Sequence, residues 1–154
     1  MERERLAVSG SALQNAWFER VKANPRRVVL ADAGDERARE AAERLEAEGL
    51  AVPILLDDLD SVRSAAVVAA AEEIGERANL DDPLHVAALL VRVGEADGCV
   101  AGASRSTADV LRTGIHLMGV APNTKAISSC FLFVLPNGRP IVYGDCAVLP
   151  DPDV

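Results

Sequence analysis

Short apolar segments alternate with segments of helical periodicity up to Pro122, and this order constrains the fold more than any other feature. The strand-like segments cover residues 27–31, 52–56 and 98–102. Each is followed by a stretch whose apolar residues recur at the spacing of one helix face. Strand, helix, strand and helix in this order imply right-handed crossovers and a mostly parallel sheet. The sequence therefore predicts an α/β fold.

Capping and helix-stopping residues mark the ends of the predicted helices. Asp35 and Asp82 can cap two of them, Pro83 suits a first helical position, and Gly49 suits a C-terminal stop. Pro53 indicates that the second strand starts there or lies at an edge of the sheet. The helices are predicted before Pro25, between Asp35 and Gly49, from about Ser61 to Arg77, from Pro83 to Gly94, and from about Thr107 to Met118.

A different pattern begins after Pro122. The segment from Ala126 to Leu135 predicts a long strand, Asn137-Gly138 is a strong hairpin turn, and residues 141–143 form the partner strand. Because a lone hairpin is marginal in water, we expect this one to dock on the α/β part or on another chain. The sequence thus predicts an α/β domain over residues 1–122 and a β-hairpin extension over residues 123–154, the start of an incomplete second unit.

The chain is acidic and poor in aromatic residues, which argues against nucleic-acid binding. Its 154 residues carry 24 Asp and Glu against 16 Lys and Arg, with one Trp, one Tyr and three Phe. A polyphosphate backbone repels such a chain, and platforms for stacked bases are scarce. No apolar run approaches the roughly 20 residues of a membrane span, and residues 1–5 are unlike a secretory signal. We therefore expect a cytoplasmic protein without nucleic-acid or membrane partners.

Cysteine and histidine are too few and too scattered to predict a disulfide framework or a metal centre. Cys99, Cys130 and Cys146 form no Cys-x-x-Cys pair, and His85 and His116 are the two histidines. We expect the cysteines to be small buried hydrophobic residues in a reducing compartment. The sequence predicts no metal site.

The turn after the third strand is the best candidate for a binding site. In a parallel sheet such a turn lies at the carboxyl edge, where ligands bind. The helix that follows offers free amides and a partial positive charge to a phosphate group. Hydroxyl and guanidinium groups crowd the same stretch and can add donors and charge. The candidate anion-binding residues here are Ser104, Arg105, Ser106, Thr107 and Arg112.

Helix capping is an alternative explanation of this turn. Ser106 stands three residues before Asp109, a variant of the capping box, and capping accounts for both residues without a ligand. It does not account for Arg105 and Arg112, two arginines placed around one turn of an acidic protein.

Three other places are weaker candidates. Residues 32–37 follow the first strand and fit a glycine turn with an aspartate cap, although Arg37 there can reach an anion. Cys146 has no histidine near it in sequence that could activate it as a nucleophile. His116 fits a helix-surface or boundary position. The chain has no Walker loop, no G-x-G-x-x-G and no G-x-S-x-G motif.

Several colinear motifs resemble those of phosphate acetyltransferases and phosphate butyryltransferases. The most specific run lies within residues 94–112, with Gly94-Glu95-Ala96-Asp97-Gly98, Ala101-Gly102-Ala103 and the segment from Ser106 to Arg112. The resemblance covers residues 17–154. The other matching segments are residues 24–29, 34–37, 48–56, 128–138 and 145–152.

The resemblance implies reversible acyl transfer between coenzyme A and inorganic phosphate, with coenzyme A as a substrate and no cofactor. It implies a three-layer α/β/α fold like that of isocitrate and isopropylmalate dehydrogenases, two lobes around a cleft, and a homodimer. Carried over by motif, Ser106, Thr107 and Arg112 hold the phosphoryl group or the phosphates of coenzyme A. Such chemistry needs positioned reactants and donors aimed at the developing oxyanion.

The resemblance also implies a much longer chain, whose second half carries a Ser-Arg motif and the aspartate expected to act as catalytic base. Ala33 stands where glutamate is usual, Thr113 where proline is usual, and Leu149 where asparagine is usual. Three hypotheses therefore stay open. They are an acyltransferase whose missing groups another chain contributes, a non-catalytic homologue that binds phosphate or coenzyme A, and a shortened homologue that pairs with a partner chain. No residue is assigned as catalytic.

Overall fold

The structure is a computed structural model that describes residues 12–124, 127–145 and 148. The chain divides into two compact units. The central unit is Val21–Val120, and the hairpin unit combines the residues before and after it. The candidate anion-binding residues all belong to the central unit. The domain boundary at residue 122 stays a prediction.

Three parallel strands form the sheet of the central unit. They are β1 (Arg26–Leu30), β2 (Ala51–Leu55) and β3 (Gly98–Val100), and β1 lies between the other two. In register, Val29 lies opposite Ile54 on one side and Cys99 on the other. Pro53 lies in an edge strand of the described sheet, where its missing N–H does least harm. The prediction of an α/β fold with a parallel sheet is confirmed.

The helices begin and end largely where the capping residues predict. The Asp35 side chain accepts the Arg37 amide at the start of α2, and the Asp82 side chain accepts the Leu84 amide at the start of α5. Gly49, with φ of +65°, follows α2. The helices are α1 (Ala12–Ala23), α2 (Glu36–Ala47), α3 (Leu59–Val62), α4 (Ala65–Ile74), α5 (Pro83–Arg92) and α6 (Thr107–Thr113), with a 3-10 turn at Gly75–Arg77 and a π-helical segment at Gly114–Met118.

The helix predicted from about Ser61 to Arg77 is wrong as one piece. The chain leaves helical geometry at Ser64 (φ −64°, ψ 164°), whose hydroxyl oxygen caps α4 by accepting the Val67 amide at 3.2 Å. The same hydroxyl donates to Glu95 at 2.5 Å. Because a serine whose hydroxyl bonds the Val67 amide and a distant carboxylate favours a helix start over helix continuation, the segment splits into α3 and α4.

The core of the central unit is built mainly by β1, α4 and α5. Val29, Val67, Val86 and Leu89 are completely buried. Six of the ten residues of α5 are buried, whereas α2 buries Ala42 and otherwise carries partly or fully exposed side chains. α5 is therefore the helix that contributes most to the core of the central unit.

The described part of the hairpin unit contains an antiparallel hairpin, β4 (Cys130–Val134) and β5 (Pro140–Gly144). The Asn137-Gly138 turn is confirmed, with Gly138 at φ of +79°. The strand predicted from Ala126 is shorter than expected, because residues 127–129 are not in a strand and residue 126 lies outside the described residues. Large apolar side chains on both faces of the hairpin are about half exposed in the chain on its own.

The expectation of buried cysteines is wrong for Cys130, which is exposed on the hairpin. Cys99 is partly buried in β3, and burial raises the pKa of its thiol. Cys146 lies outside the described residues. Within the part of the chain that the structure describes, no helix has the length and apolar character needed to cross a membrane.

Replacing Leu89 with alanine tests how much α5 contributes to the stability of the fold. Leu89 is 0% exposed in the core. We expect Leu89→Ala to lower the free energy of unfolding by about 2–5 kcal/mol, through lost burial and the cavity left behind. Urea denaturation followed by far-UV circular dichroism measures the change.

Ile115→Ala is the matched control, since Ile115 belongs to the same unit and is 42% exposed. Its cost is expected to stay below about 1 kcal/mol. Equal losses at the two positions would contradict a core centred on α5.

Candidate functional site

Asp32 is a buried carboxylate that ties the end of β1 to the turn after β3. Asp32 is 6% exposed. Its Oδ1 accepts the Ser104 amide at 2.8 Å and the Ser104 hydroxyl at 2.7 Å, and its Oδ2 accepts the Ala103 amide at 3.1 Å. Burial opposes ionisation, but these hydrogen bonds outweigh it and hold the pKa of Asp32 below its ordinary value. The charge on Asp32 therefore fixes the turn that carries Ser104.

Arg37 supports the same turn from the start of α2. Its guanidinium donates to Asp35 at 3.0 and 2.6 Å, and one of its amino groups also lies 3.3 Å from the Ala103 carbonyl oxygen. The hydrogen bonds from Arg37 hold the pKa of Asp35 below its ordinary value. The positive charge of Arg37 is therefore already matched by a carboxylate.

Ser106 caps α6, as the capping alternative predicts. Its Oγ accepts the Asp109 amide at 3.2 Å and donates its own proton to Asp109 Oδ2 at 2.7 Å. Arg112 donates to the other oxygen of Asp109 at 3.0 Å. The Ser106 hydrogen bond and the Arg112 charge hold the pKa of Asp109 below its ordinary value in spite of desolvation. Thr107, the first residue of α6, is exposed.

Arg105 reaches from the turn to the start of α5. Its Nη2 donates to Asp82 Oδ1 at 2.8 Å, and the same oxygen accepts the Leu84 amide at 3.0 Å. The Asp82 side chain is 20% exposed, and that of Arg105 is 42% exposed. One carboxylate therefore caps α5 and holds Arg105 in place.

A cavity of about 240 Å³ lies where α5, α6 and the π-helical segment meet, and we call it the arginine cavity. It brings together Arg105 and Arg112, two of the residues predicted from the sequence. The other predicted residues, Ser104, Ser106, Thr107 and Arg37, do not line it. The lining residues are Arg77, Asp82, Leu84, His85, Arg105, Asp109, Arg112, Thr113, His116 and Leu117.

The sequence did not single out Arg77 or His85, and it indicated a helix-surface or boundary position for His116. One signal points to His85. A helix that precedes a parallel strand runs antiparallel to it, so α5 starts at the carboxyl edge, where the turn after β3 also lies. His85 stands in that first turn of α5. Arg77 carries no comparable signal, because it follows an irregular connection after α4.

The arginine cavity is locally positive in an acidic chain. Three arginines and two aspartates line it, an excess of one positive charge with both histidines neutral, whereas the whole chain carries −8. Arg105 and Arg112 are paired with carboxylates, and Arg77 makes no ion pair with any residue in the described ranges. Guanidinium groups held in a fixed orientation bind phosphate oxygens through paired N–H donors.

The volume of the cavity limits what it can take. Pockets for whole ligands usually measure about 300–1,000 Å³. The arginine cavity, at about 240 Å³, is therefore suited to one charged group of a larger ligand. No three His, Cys, Asp or Glu side chains among the described residues lie close enough together to hold a metal ion.

Comparison with known protein families gives one match over most of the chain. The model of the phosphate acetyl/butaryl transferase family matches residues 12–76 and 63–154. A phosphate acetyltransferase of Acetivibrio thermocellus is 29% identical over 88% of this chain, and one of Paracoccus denitrificans is 32% identical over 88%. These matches cover 52% and 50% of the relatives, so the chain spans about half their length.

Two solved structures are similar in fold. The EutD phosphotransacetylase from Staphylococcus aureus has a TM-score of 0.72 and 24% identity, with 90% of this chain and 51% of that chain covered. A phosphotransacetylase from Streptococcus pyogenes has a TM-score of 0.66 and 24% identity, with 90% and 52% covered.

Replacing Asp32 with asparagine tests the tie between β1 and the turn after β3. The asparagine amide keeps the shape of the side chain but lacks the negative charge of the carboxylate that accepts these hydrogen bonds. At neutral pH we expect Asp32→Asn to lower the free energy of unfolding by about 1–3 kcal/mol. The measurement is urea denaturation of both proteins over a range of pH.

The effect of pH has a definite sign. Because the pKa of Asp32 is lowered in the folded protein, its stabilisation is complete above the ordinary value of 3.8 and is lost as pH falls through the folded value. The variant should therefore differ most from the parent at neutral pH and converge with it in acid. Asp57→Asn, at an exposed position, is the control and should leave the pH profile unchanged. A gap between Asp32→Asn and the parent that persists into acid would contradict this account.

Proposed function

Because the chain belongs to the phosphate acetyl/butaryl transferase family, we propose that it takes part in acyl transfer between an acyl-CoA and inorganic phosphate. The reaction is acetyl-CoA plus phosphate to acetyl phosphate plus coenzyme A, and it is reversible. One observation carries the proposal: the arginine cavity places Arg105 and Arg112 around one space in a chain of net charge −8. A local excess of positive charge is what an anionic substrate needs in an acidic protein.

Arg105 and Arg112 bind the oxygens of a phosphate group in this proposal. Each is held ready by one carboxylate, Asp82 at 2.8 Å and Asp109 at 3.0 Å. Both arginines are well exposed, so these pairs are weak in solution and an anion can exchange with the carboxylates. The pairs therefore orient the arginines at little cost to binding.

The turn after β3 supplies the second part of the proposed site. Ser104 is fixed by Asp32, and Arg37 supports the turn through the Ala103 carbonyl. Ser106 and Thr107 stand at the start of α6, where backbone amides add a partial positive charge. These residues shape the edge on which the phosphates of coenzyme A lie.

The chemical step itself needs position and charge. A phosphate oxygen attacks the thioester carbonyl carbon, the C–O bond forms, and the C–S bond breaks to release the coenzyme A thiolate. Arg105 and Arg112 hold the attacking phosphate and offset the repulsion between anionic reactants. No residue of this chain is assigned as the acid or base of the step.

The finer features implied by the family are part of the same proposal. The fold is of the three-layer isocitrate/isopropylmalate dehydrogenase type, the protein acts in the cytoplasm, no cofactor is needed, and two chains form a homodimer. The chain spans about half the length of the relatives it matches.

Thiol release from acetyl-CoA tests the proposed function. We expect the purified 154-residue chain to release coenzyme A thiol faster when inorganic phosphate is present. Arg112→Ala should reduce the phosphate-dependent rate by about 100-fold or more, the usual loss when a preorganised charge contact is removed. Arg112→Lys keeps the charge but loses the paired donors, so it should restore only part of the rate.

Arg44→Ala is the control, because Arg44 is an exposed arginine of α2 outside the arginine cavity. It should keep the parent rate. A folded protein that binds phosphate or coenzyme A yet shows no phosphate-dependent release would contradict the enzymatic proposal and leave a binding homologue.

The hairpin gives the proposed homodimer its test. Exposed apolar side chains lie on both faces, with Leu132 opposite Val142 on one face and Phe131 opposite Tyr143 on the other. We expect the chain to sediment as a dimer at micromolar concentration. Replacing both residues of either pair with threonine should shift the chain toward the monomer, and threonine keeps the strand propensity of these positions.

Val52→Thr, at an exposed position of β2, is the control and should leave the dimer intact. A monomer at micromolar concentration, or a dimer that survives both double replacements, would contradict an interface through the hairpin.

A further inference from the structure

Arg63 is a largely buried arginine that reaches from the break between α3 and α4 to the loop before α5. Its side chain is 24% exposed. Nη2 donates to the Leu80 carbonyl oxygen at 2.7 Å and to Asp81 Oδ1 at 2.9 Å, and Nη1 donates to Asp60 Oδ1 at 2.8 Å. One guanidinium group therefore joins two segments that lie 17 to 18 residues apart in the sequence.

The bond to the Leu80 carbonyl oxygen contributes most to this connection. The side chains of Asp60 and Asp81 are 84% and 87% exposed, so water competes with both ion pairs and each adds little. The bond to Leu80 is partly buried, and its donor carries a positive charge. The Nε N–H of Arg63 is buried without a hydrogen-bond partner among the described residues, a cost that a charge-assisted bond of this kind offsets.

The loop that Arg63 binds consists of residues 79–82, and we call it the α5 loop. Inside it, the carbonyl oxygen of Asn79 accepts the Asp82 amide at 3.2 Å, and the side chain of Asn79 accepts the Asp81 amide at 2.9 Å. Among the described hydrogen bonds of the first three loop residues, those of Arg63 are the ones that come from outside the loop and α5. Arg63 is therefore the hydrogen-bonding tie between the α5 loop and the preceding helices.

Asp82, the last residue of the α5 loop, connects this tie to the arginine cavity. Its Oδ1 accepts Arg105 Nη2 at 2.8 Å, and Asp82 and Arg105 both line the cavity. Arg63 is not among the lining residues, so it can affect a bound anion only through other groups or through its long-range charge. A displacement of the loop moves the carboxylate that orients Arg105.

We propose that Arg63 is a positioning residue of the arginine cavity, which fixes the α5 loop so that Asp82 presents Arg105 to a bound phosphate group. The inference rests on the proposed function for the identity of the anion. It adds a residue that touches neither the anion nor Arg105, and it gives the break between α3 and α4 a role at the site, since Arg63 is the residue that ends α3 there.

The affinity for inorganic phosphate tests the proposal. Titration at constant ionic strength, followed by the NMR amide signals of α6, gives the dissociation constant. We expect Arg63→Ala to weaken phosphate binding by about three- to tenfold, the size of effect typical of residues that act through another group. Arg63→Lys keeps the charge and one donor for the Leu80 carbonyl oxygen, so it should recover part of that loss.

A double-mutant cycle with Arg105 separates positioning from other effects. If Arg63 acts through Arg105, Arg63→Ala should weaken binding in the parent background and cause no further loss in the Arg105→Ala background. A loss through long-range charge or through a generally weakened fold would be the same in both backgrounds. Arg112 is kept in every protein so that affinity remains. Unfolding curves show whether each variant is folded, and Arg63→Lys replaces Arg63→Ala in the cycle if the alanine variant does not fold.

Arg39→Ala is the matched control. Arg39 also joins segments 18 residues apart, through a 3.2 Å ion pair with Asp57, and it lies outside the arginine cavity. Its replacement should leave the parent affinity for phosphate unchanged.

Three results would overturn the proposal. They are no measurable phosphate binding by the parent chain, parent affinity in a folded Arg63→Ala protein, and equal losses from Arg63→Ala in the two backgrounds. Failure of the proposed function gives a different pattern. A non-additive cycle without phosphate-dependent thiol release would reject the enzymatic proposal and keep this inference, and phosphate-dependent release with an additive cycle would do the reverse.

Discussion

The carboxylate of Asp32 is the contact on which the candidate site depends. Asp32 is 6% exposed at the end of β1. Among the described residues, its carboxylate accepts hydrogen bonds from the Ala103 amide and from the Ser104 amide and hydroxyl, which all belong to the turn after β3. A buried charge is costly unless hydrogen bonds satisfy it, so the turn cannot move away without leaving that carboxylate without its hydrogen-bond donors. The strand order β2-β1-β3 makes the contact possible, because it places the carboxyl ends of β1 and β3 side by side.

A second constraint is the charge of the chain. With a net charge of −8, an arginine that faces a ligand is readily drawn to a carboxylate of its own protein, and each predicted arginine of the site has one. Arg37 is matched to Asp35 and also holds the Ala103 carbonyl, so its role is to support the turn. Arg105 and Arg112 instead face a shared cavity, where the same kind of pairing leaves them accessible. Pairing with a carboxylate therefore serves two different purposes at one edge.

Local signals were enough to predict the parallel sheet and the caps at Asp35 and Asp82, because each depends on a few neighbouring residues. The break at Ser64 escaped prediction since the bond that accompanies it joins Ser64 to Glu95, far along the chain. The cavity escaped for the same reason. The residues that line the cavity come from three segments that the fold brings together. A motif around residues 104–112 therefore indicated only the lining residues of its own segment.

The carboxylate partners also decide how the cavity can respond to a ligand. An arginine paired with a buried carboxylate is not available to a ligand, because separating the pair leaves an uncompensated buried ion. The Asp109 side chain is 47% exposed, so water can replace its arginine when a phosphate takes that place. Asp82 is less exposed, at 20%, but it keeps the Leu84 amide as a partner if Arg105 turns to a ligand. In both cases the released carboxylate remains solvated or hydrogen-bonded, and the arginine is oriented in advance without being neutralised for good.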